Sequence, residues 1–134
     1  MNENINLSVI CASHDGKDRI NNLLESILKN NILPKEIIIC GTSENDLKNV
    51  KKVLIDRLNV RFFLSEVKSQ IYQRSLAFKN SKSDYILQID DDVTVANNFF
   101  QNLKKYTSDT SAKNRTVISA LILQKSGKMQ AGQW

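Results

Sequence analysis

Three adjacent carboxylates, Asp90, Asp91 and Asp92, follow directly after the apolar run at residues 85–89. Like charges this close repel one another unless a cation relieves them. Hard divalent ions such as Mg²⁺ and Mn²⁺ prefer oxygen ligands and often share them with substrate phosphates. The run therefore predicts a metal-assisted phosphate or nucleotide site, and a solvated acidic loop is the alternative. It is not an EF-hand, which alternates its ligands around a glycine.

The cysteines and the histidine form no second motif of this kind. Cys11 and Cys40 both lie in apolar runs typical of strands, so we expect reduced core cysteines, without a disulfide framework or a zinc site. His14, the only histidine, follows the first apolar run.

The acidic run needs a scaffold in which a strand ends just before it, and the remaining sequence predicts one. Apolar, β-branched runs predict strands at residues 5–12, 36–40, 60–64, 85–89 and 117–123. Apolar residues at helical spacing predict helices at residues 20–28, 47–58, 70–79 and 99–106. This alternation is typical of an α/β domain with a parallel sheet. Such sheets bind ligands beyond the carboxyl ends of their strands, which singles out loops 12–16, 41–45 and 90–95.

The bulk composition fits one globular domain of 134 residues with 41% hydrophobic residues and a net charge of +5. Lysine and arginine are spread along the chain, which argues against a nucleic-acid partner. The charge fits a solvated surface, an anionic ligand or an anionic membrane face. The first residues lack the basic and apolar regions of a signal peptide, and no apolar run reaches the roughly 18 residues of a membrane span. We expect a cytoplasmic protein, with peripheral association at the inner membrane face as the alternative.

Four segments resemble family 2 glycosyltransferases, in the order and spacing of that family and over nearly the whole chain. Residues 8–15, SVICASHD, resemble its opening strand and loop, commonly SVVIPTYN. Residues 33–39, LPKEIII, are similar to its approach to the second strand, and residues 73–75, QRS, to its "aRN" segment. Residues 84–93, DYILQIDDDV, resemble the element "gDYILFLDDDv" that contains the DXD motif.

The resemblance implies a GT-A fold, a Rossmann-like, mainly parallel sheet flanked by helices. It implies that residues 1–134 form the nucleotide-diphospho-sugar-binding portion of a glycosyltransferase domain that is truncated at its carboxyl end. It also implies a role for each matching residue. Ala12 and Ser13 line the nucleotide pocket, Asp90 holds the ribose, Asp92 binds Mn²⁺ or Mg²⁺ on the diphosphate with Asp91 assisting, and Arg74 lies near the diphosphate or on the helix surface.

Two departures from the family pattern concern the nucleotide. The family's second strand usually ends in one or two aspartates, one of which recognises the base, whereas Gly41 and Thr42 stand here. Thr42 is a candidate for nucleotide contact, and the identity of the base stays open. Ser75 replaces the usual asparagine after Arg74.

The implied reaction transfers a sugar from a nucleotide-diphospho-sugar to a hydroxyl of a glycan or lipid-linked acceptor, in the synthesis of bacterial surface polysaccharide. The family's acceptor region and general base follow the stretch that ends here at Trp134, so we assign no catalytic base. We expect the chain alone to bind donor without transfer, and its uncovered sheet to favour self-association. The alternatives are a sugar nucleotidyltransferase, which normally has a Gly-rich loop where only Gly16 stands, and a non-catalytic nucleotide- or metal-binding α/β module.

Overall fold

The computed structural model describes residues 3–16 and 18–107, and they form a sheet with helices on both faces. The elements, in chain order, are β1 (Glu3–Ala12), α1 (Asp18–Leu28), β2 (Ile32–Gly41), α2 (Lys52–Leu58), β3 (Val60–Leu64), α3 (Gln70–Lys79), β4 (Tyr85–Gln88) and α4 (Phe99–Thr107). A single 3₁₀ turn, Glu44–Asp46, lies between β2 and α2. No helix within these described ranges is long and apolar enough to cross a membrane.

The sheet has the order β3-β2-β1-β4, and all of its strand pairs are parallel. This confirms the predicted α/β fold. β1 and β2 lie at the centre, which explains why their residues are apolar on both faces; Val9 and Ile38, for example, are fully buried. The register between these strands shifts between Ile5 and Ser8, opposite Pro34. Proline has no N–H to donate to a regular ladder, so an irregularity here is expected.

Helices α1, α2 and α4 pack on one face of the sheet around a large apolar core. Ile20, Leu24 and Ile27 of α1 are completely buried there, as is Phe100 of α4. On the opposite face, α3 packs through Ala77 against residues of β1 and β2. Both cysteines are buried and free, as expected.

Two helices differ from their predictions. The apolar pattern from Leu47 predicted one long helix, but α2 begins only at Lys52, because residues 44–46 form the separate 3₁₀ turn. α3 has the predicted bounds, yet Ile71 and Phe78, two of the apolar residues on which its prediction rested, are 77% and 60% exposed. They border a hollow beside β4. The strand predicted at residues 117–123 lies outside the described residues.

Candidate functional site

The carboxyl ends of β1 and β2 are joined by a buried amide from α3. Nε2 of Gln73 donates to the carbonyl oxygens of both Ser13 and Cys40, each at 2.8 Å. The backbone N–H of Ser13 also donates to the carbonyl of Cys40 at 3.0 Å. Buried carbonyls need such partners, which explains why a polar residue occupies the inner face of this helix. The arrangement fixes α3 above the edge where the predicted loops meet.

Asp91 is held by the loop that follows β1. Oγ of Ser13, a residue 3% exposed, donates to Oδ2 of Asp91 at 2.7 Å. Nη2 of Arg19, in the first turn of α1, lies 3.4 Å from the same oxygen. A Cβ atom at Gly16 would lie 2.3 Å from the Ser13 hydroxyl oxygen, so only glycine leaves room for this loop. The first loop and the acidic run, both predicted, are therefore brought together.

The other two aspartates differ in their surroundings. Oδ1 of Asp90 accepts a hydrogen bond from Nη2 of Arg74 at 2.9 Å, and the Asp90 side chain is 62% exposed. Nε of Arg74 is buried and has no hydrogen-bond partner in the described part of the chain. Asp92 is exposed and makes no hydrogen bond or ion pair with any described residue. The guanidinium groups of Arg19 and Arg74 thus reduce the electrostatic repulsion within the acidic run. Asp92 is the carboxylate that they leave exposed.

The predicted metal site offers few protein ligands. No group of three histidine, cysteine, aspartate or glutamate side chains within the described ranges is arranged to hold a metal ion by itself. Mg²⁺ and its relatives often bind through only one or two protein carboxylates, with substrate phosphates and water completing the shell. Asp92, exposed beside the partly buried Asp91, fits that smaller donor set.

A second carboxylate, Asp46, connects the loops after β1 and β2, a role that was not predicted from the sequence. Its Oδ2 accepts from N–H and Oγ1 of Thr42, both at 2.9 Å, and from the N–H of Ser43 at 3.1 Å. Its Oδ1 accepts from the N–H of Asp15 at 2.8 Å. Burial would raise the pKa of Asp46, but the hydrogen bonds from Thr42 and Asp15 prevail and lower it to about 2. Asp46 is therefore a buried, ionised link between the two loops.

The remaining predicted site residues are Ala12, at the end of β1, and Thr42, directly after β2. Both are half-buried at the carboxyl edge, and the structure brings Thr42 to His14 of the neighbouring loop. Arg19 and Gln73 were missed as well. Arg19 belongs to no recognisable motif, and the motif-like segment at residues 73–75 gave no role for Gln73. For Asp46 a signal was available, since Ser43 followed by Asp46 has the spacing of a capping box.

Cys11 lies beside the site but is not a nucleophile. Burial raises the pKa of its thiol, and the negative charges of Asp91 and Asp90 raise it further. Because the thiolate is the reactive form of cysteine, Cys11 is a packing residue beneath the acidic run.

Comparisons with known proteins concern the family and the fold of the chain. The model of the family described as "Glycosyl transferase family 2" matches residues 8–124. The solved structure of S. aureus TarS is similar, with 17% identity, a TM-score of 0.62, and coverage of 86% of this chain and 23% of that one. Its 1–349 form matches at 16% identity over 86% and 39% of the two chains, with a TM-score of 0.63. The 1–349 form in complex with UDP-GlcNAc matches at 16% over 86% and 37%, with a TM-score of 0.65.

These structural likenesses concern the fold, which is the GT-A arrangement of a parallel sheet with flanking helices. The chain spans between 23% and 39% of the length of the TarS structures that it matches. A comparison with curated protein sequences finds no match.

Proposed function

This chain belongs to glycosyl transferase family 2, and from that premise we propose that it binds a nucleotide-diphospho-sugar whose sugar passes to an acceptor hydroxyl. One observation supports the donor site above all others. At the carboxyl edge of the sheet, Asp90 and Asp91 are paired with guanidinium groups while Asp92 is exposed and unpaired among the described residues. Such an edge offers cations to a diphosphate and a carboxylate to a metal ion. The complex of a TarS structure with UDP-GlcNAc supports the same class of donor.

We propose specific roles for the residues around this edge. Asp92, with Asp91 beside it, holds Mn²⁺ or Mg²⁺. Asp90 binds the ribose and releases Arg74 toward the diphosphate, since the buried Nε–H of Arg74 has no partner among the described residues. Ala12, Ser13 and Thr42 line the nucleotide pocket.

A bound divalent ion would neutralise the charge that develops on the departing diphosphate. The protein's own contribution is orientation. Ser13 keeps Asp91 in place through a short hydrogen bond, and Gln73 fixes the helix on which Arg74 lies. Groups held in advance lose little freedom on binding, and this lowers the cost of orienting the donor.

We assign no residues to the binding of the acceptor. We assign no general base to the described part of the chain, and transfer needs one within hydrogen-bond reach of the acceptor hydroxyl. We expect these 134 residues alone to bind donor and not to glycosylate glycan or lipid-linked acceptors. Bacterial surface-glycan synthesis at the cytoplasmic face of the membrane is the setting that the family resemblance suggests.

Calorimetric titration with UDP-, GDP-, dTDP- and CMP-sugars, with and without Mn²⁺, tests the proposal. We expect metal-dependent binding of at least one nucleoside-diphosphate donor. Affinity that is unchanged after chelation with EDTA would remove the metal role. Absence of binding to every donor in the presence of Mn²⁺ would refute the proposed function itself.

A further inference from the structure

A chain of hydrogen bonds leads from the buried carboxylate of Asp46 to the exposed ring of His14. Oγ1 of Thr42 lies 2.9 Å from Oδ2 of Asp46 and 3.3 Å from Nδ1 of His14. The side chain of Asp46 is 6% exposed, whereas that of His14 is 49% exposed. A buried, charged group therefore determines the position of a polar ring at the mouth of the two loops.

The charge on Asp46 determines which group donates in each of these hydrogen bonds. A carboxylate can only accept, and a hydrogen bond to a charged acceptor is stronger than one to a neutral imidazole. The Thr42 hydroxyl hydrogen therefore points to Asp46, and Oγ1 of Thr42 can only accept from other groups. Nδ1 of His14 faces that oxygen and lies 3.9 Å from Oδ1 of Asp46, so both of its neighbours are acceptors.

It follows that the hydrogen of the neutral imidazole lies on Nδ1. The other ring nitrogen, Nε2, is then a hydrogen-bond acceptor. It makes no hydrogen bond with any of the residues that the structure describes. His14 thus presents an exposed hydrogen-bond acceptor at the mouth of the loops that follow β1 and β2.

The strand order indicates which part of a nucleotide would meet this acceptor. The acidic run follows β4, at one side of β1, and Thr42 follows β2, at the other side. Under the proposed function, on which this step rests, the diphosphate lies at Asp90–Asp92 and Arg74. The nucleoside then extends across the end of β1, which brings its base to His14 and Thr42.

We propose that Nε2 of His14 accepts a hydrogen bond from the nucleobase and thereby selects bases that present a ring N–H on their pairing edge. Uracil, thymine and guanine have such an N–H. Cytosine and adenine have a lone pair at the corresponding ring nitrogen, which would face the lone pair of Nε2. Leaving polar groups unpaired in this way is what gives a site its discrimination. His14 is then the specificity residue, and Thr42 and Asp46 are positioning residues.

UDP and CDP provide the direct test, because they differ only at the pairing edge of the base. We expect the protein with Mn²⁺ to bind UDP at least about tenfold more tightly than CDP, the equivalent of one hydrogen bond. His14→Phe keeps a ring without the acceptor, and Thr42→Val keeps the shape without the hydroxyl; both should lose the preference. Thr42→Ser retains the hydroxyl and should retain the preference.

The outcomes of this titration separate the two proposals. Equal affinity for UDP and CDP in the unaltered protein, or tighter binding of CDP, would overturn the inference about His14 while leaving donor binding intact. Binding of neither nucleotide, together with no binding of GDP or dTDP, would overturn both proposals. A preference that survives Thr42→Val would show that the hydroxyl does not position the ring.

A measurement on the ligand-free protein tests the tautomer independently of any nucleotide. His14 is the only histidine in the chain, so ¹⁵N-labelled histidine gives a single pair of ring signals. We expect the hydrogen on Nδ1 in the unaltered protein and in Thr42→Ser, and a shift of the hydrogen toward Nε2 in Thr42→Val. Finding it on Nε2 in the unaltered protein would overturn the inference.

Discussion

Ser13 and Asp91 are 78 residues apart in the sequence and are joined by a hydrogen bond of 2.7 Å. This bond fixes the acidic run against the loop that follows the first strand. Charge-assisted hydrogen bonds are stronger than neutral ones, and Ser13 is buried. The same contact therefore serves both the stability of the fold and the position of Asp91.

We predict that Ser13→Ala lowers the free energy of unfolding by about 1.5–3 kcal/mol, the contribution of a hydrogen bond to a charged group, and also weakens metal-linked nucleotide binding. Ser8→Ala is a matched control, because Ser8 donates to the carboxylate of Glu36 over the same 2.7 Å, away from the site. Chemical denaturation and calorimetry measure the two effects. Ser8→Ala should affect stability alone, and an equal loss of nucleotide affinity in both variants would contradict a local role for Ser13.

We predict that Asp92→Asn abolishes metal-linked nucleotide binding and leaves the melting temperature unchanged or slightly higher. Asp92 is exposed and unpaired within the described ranges, so its carboxylate contributes little to folding. Asparagine keeps the shape and reduces repulsion within the acidic run. Calorimetry with Mn²⁺ and thermal unfolding test the two halves of the prediction, and a large drop in melting temperature would indicate a structural acid instead.

We predict that Asp46→Asn destabilises the protein at neutral pH by roughly 2 kcal/mol, the free energy that corresponds to the lowered pKa of this buried carboxyl. A carboxyl whose pKa is lowered in the folded state stabilises it above its ordinary pKa. That contribution disappears as the pH falls toward the folded value of about 2. The difference between the variant and the unaltered protein should therefore shrink as the solution becomes more acidic.

The control for this experiment is Glu44→Gln, which removes an exposed carboxylate from the same 3₁₀ turn. Denaturation across a pH series should show little difference for this variant at any pH. A stability difference for Asp46→Asn that persists unchanged at acidic pH would mean that the carboxylate charge is not the stabilising feature.

We predict that the chain self-associates through the exposed apolar residues of α3 and that Ile71→Lys reduces this association. Ile71, Tyr72 and Phe78 are each at least 60% exposed on this helix, and exposed apolar clusters of this kind favour association. Val53→Lys is the control, because Val53 is 55% exposed on α2, which packs on the opposite face of the sheet. Sedimentation equilibrium measures the effect, and an equal response to both substitutions would refute the assignment to α3.

The order of elements was predictable because each strand and helix has a strong local pattern. The run at residues 36–40 is β-branched and apolar, and α1 has its apolar residues at helical spacing. The inner face of α3 was not predictable from hydrophobicity. Gln73 and Ala77 are buried there, and the reason for Gln73 is tertiary, namely two carbonyl groups from distant strand ends.

The sequence predicted where the candidate site lies, but not the hydrogen bonds and ion pairs that join its loops. The acidic run and the two loops stood out because of their residue types at strand ends. Arg19 and Asp46 did not, since their roles depend on which loops the sheet order brings together. An ion pair such as that of Arg19 with Asp91 joins residues 72 positions apart, and no local pattern specifies such a pair.

The position of β1 between β2 and β4 leaves one edge of β1 unpaired in the nascent chain until β4 has been synthesised. Synthesis delivers the amino-terminal strands first, so β1 and β2 have emerged well before Tyr85 begins β4. Throughout that interval, one edge of β1 exposes backbone N–H and C=O groups to the strands of other chains. During the same interval, the hydroxyl of Ser13 has no contact with its acceptor, Asp91. This edge can therefore pair with other chains until β4 is in place, and the acidic run reaches Ser13 only once β4 has paired with β1.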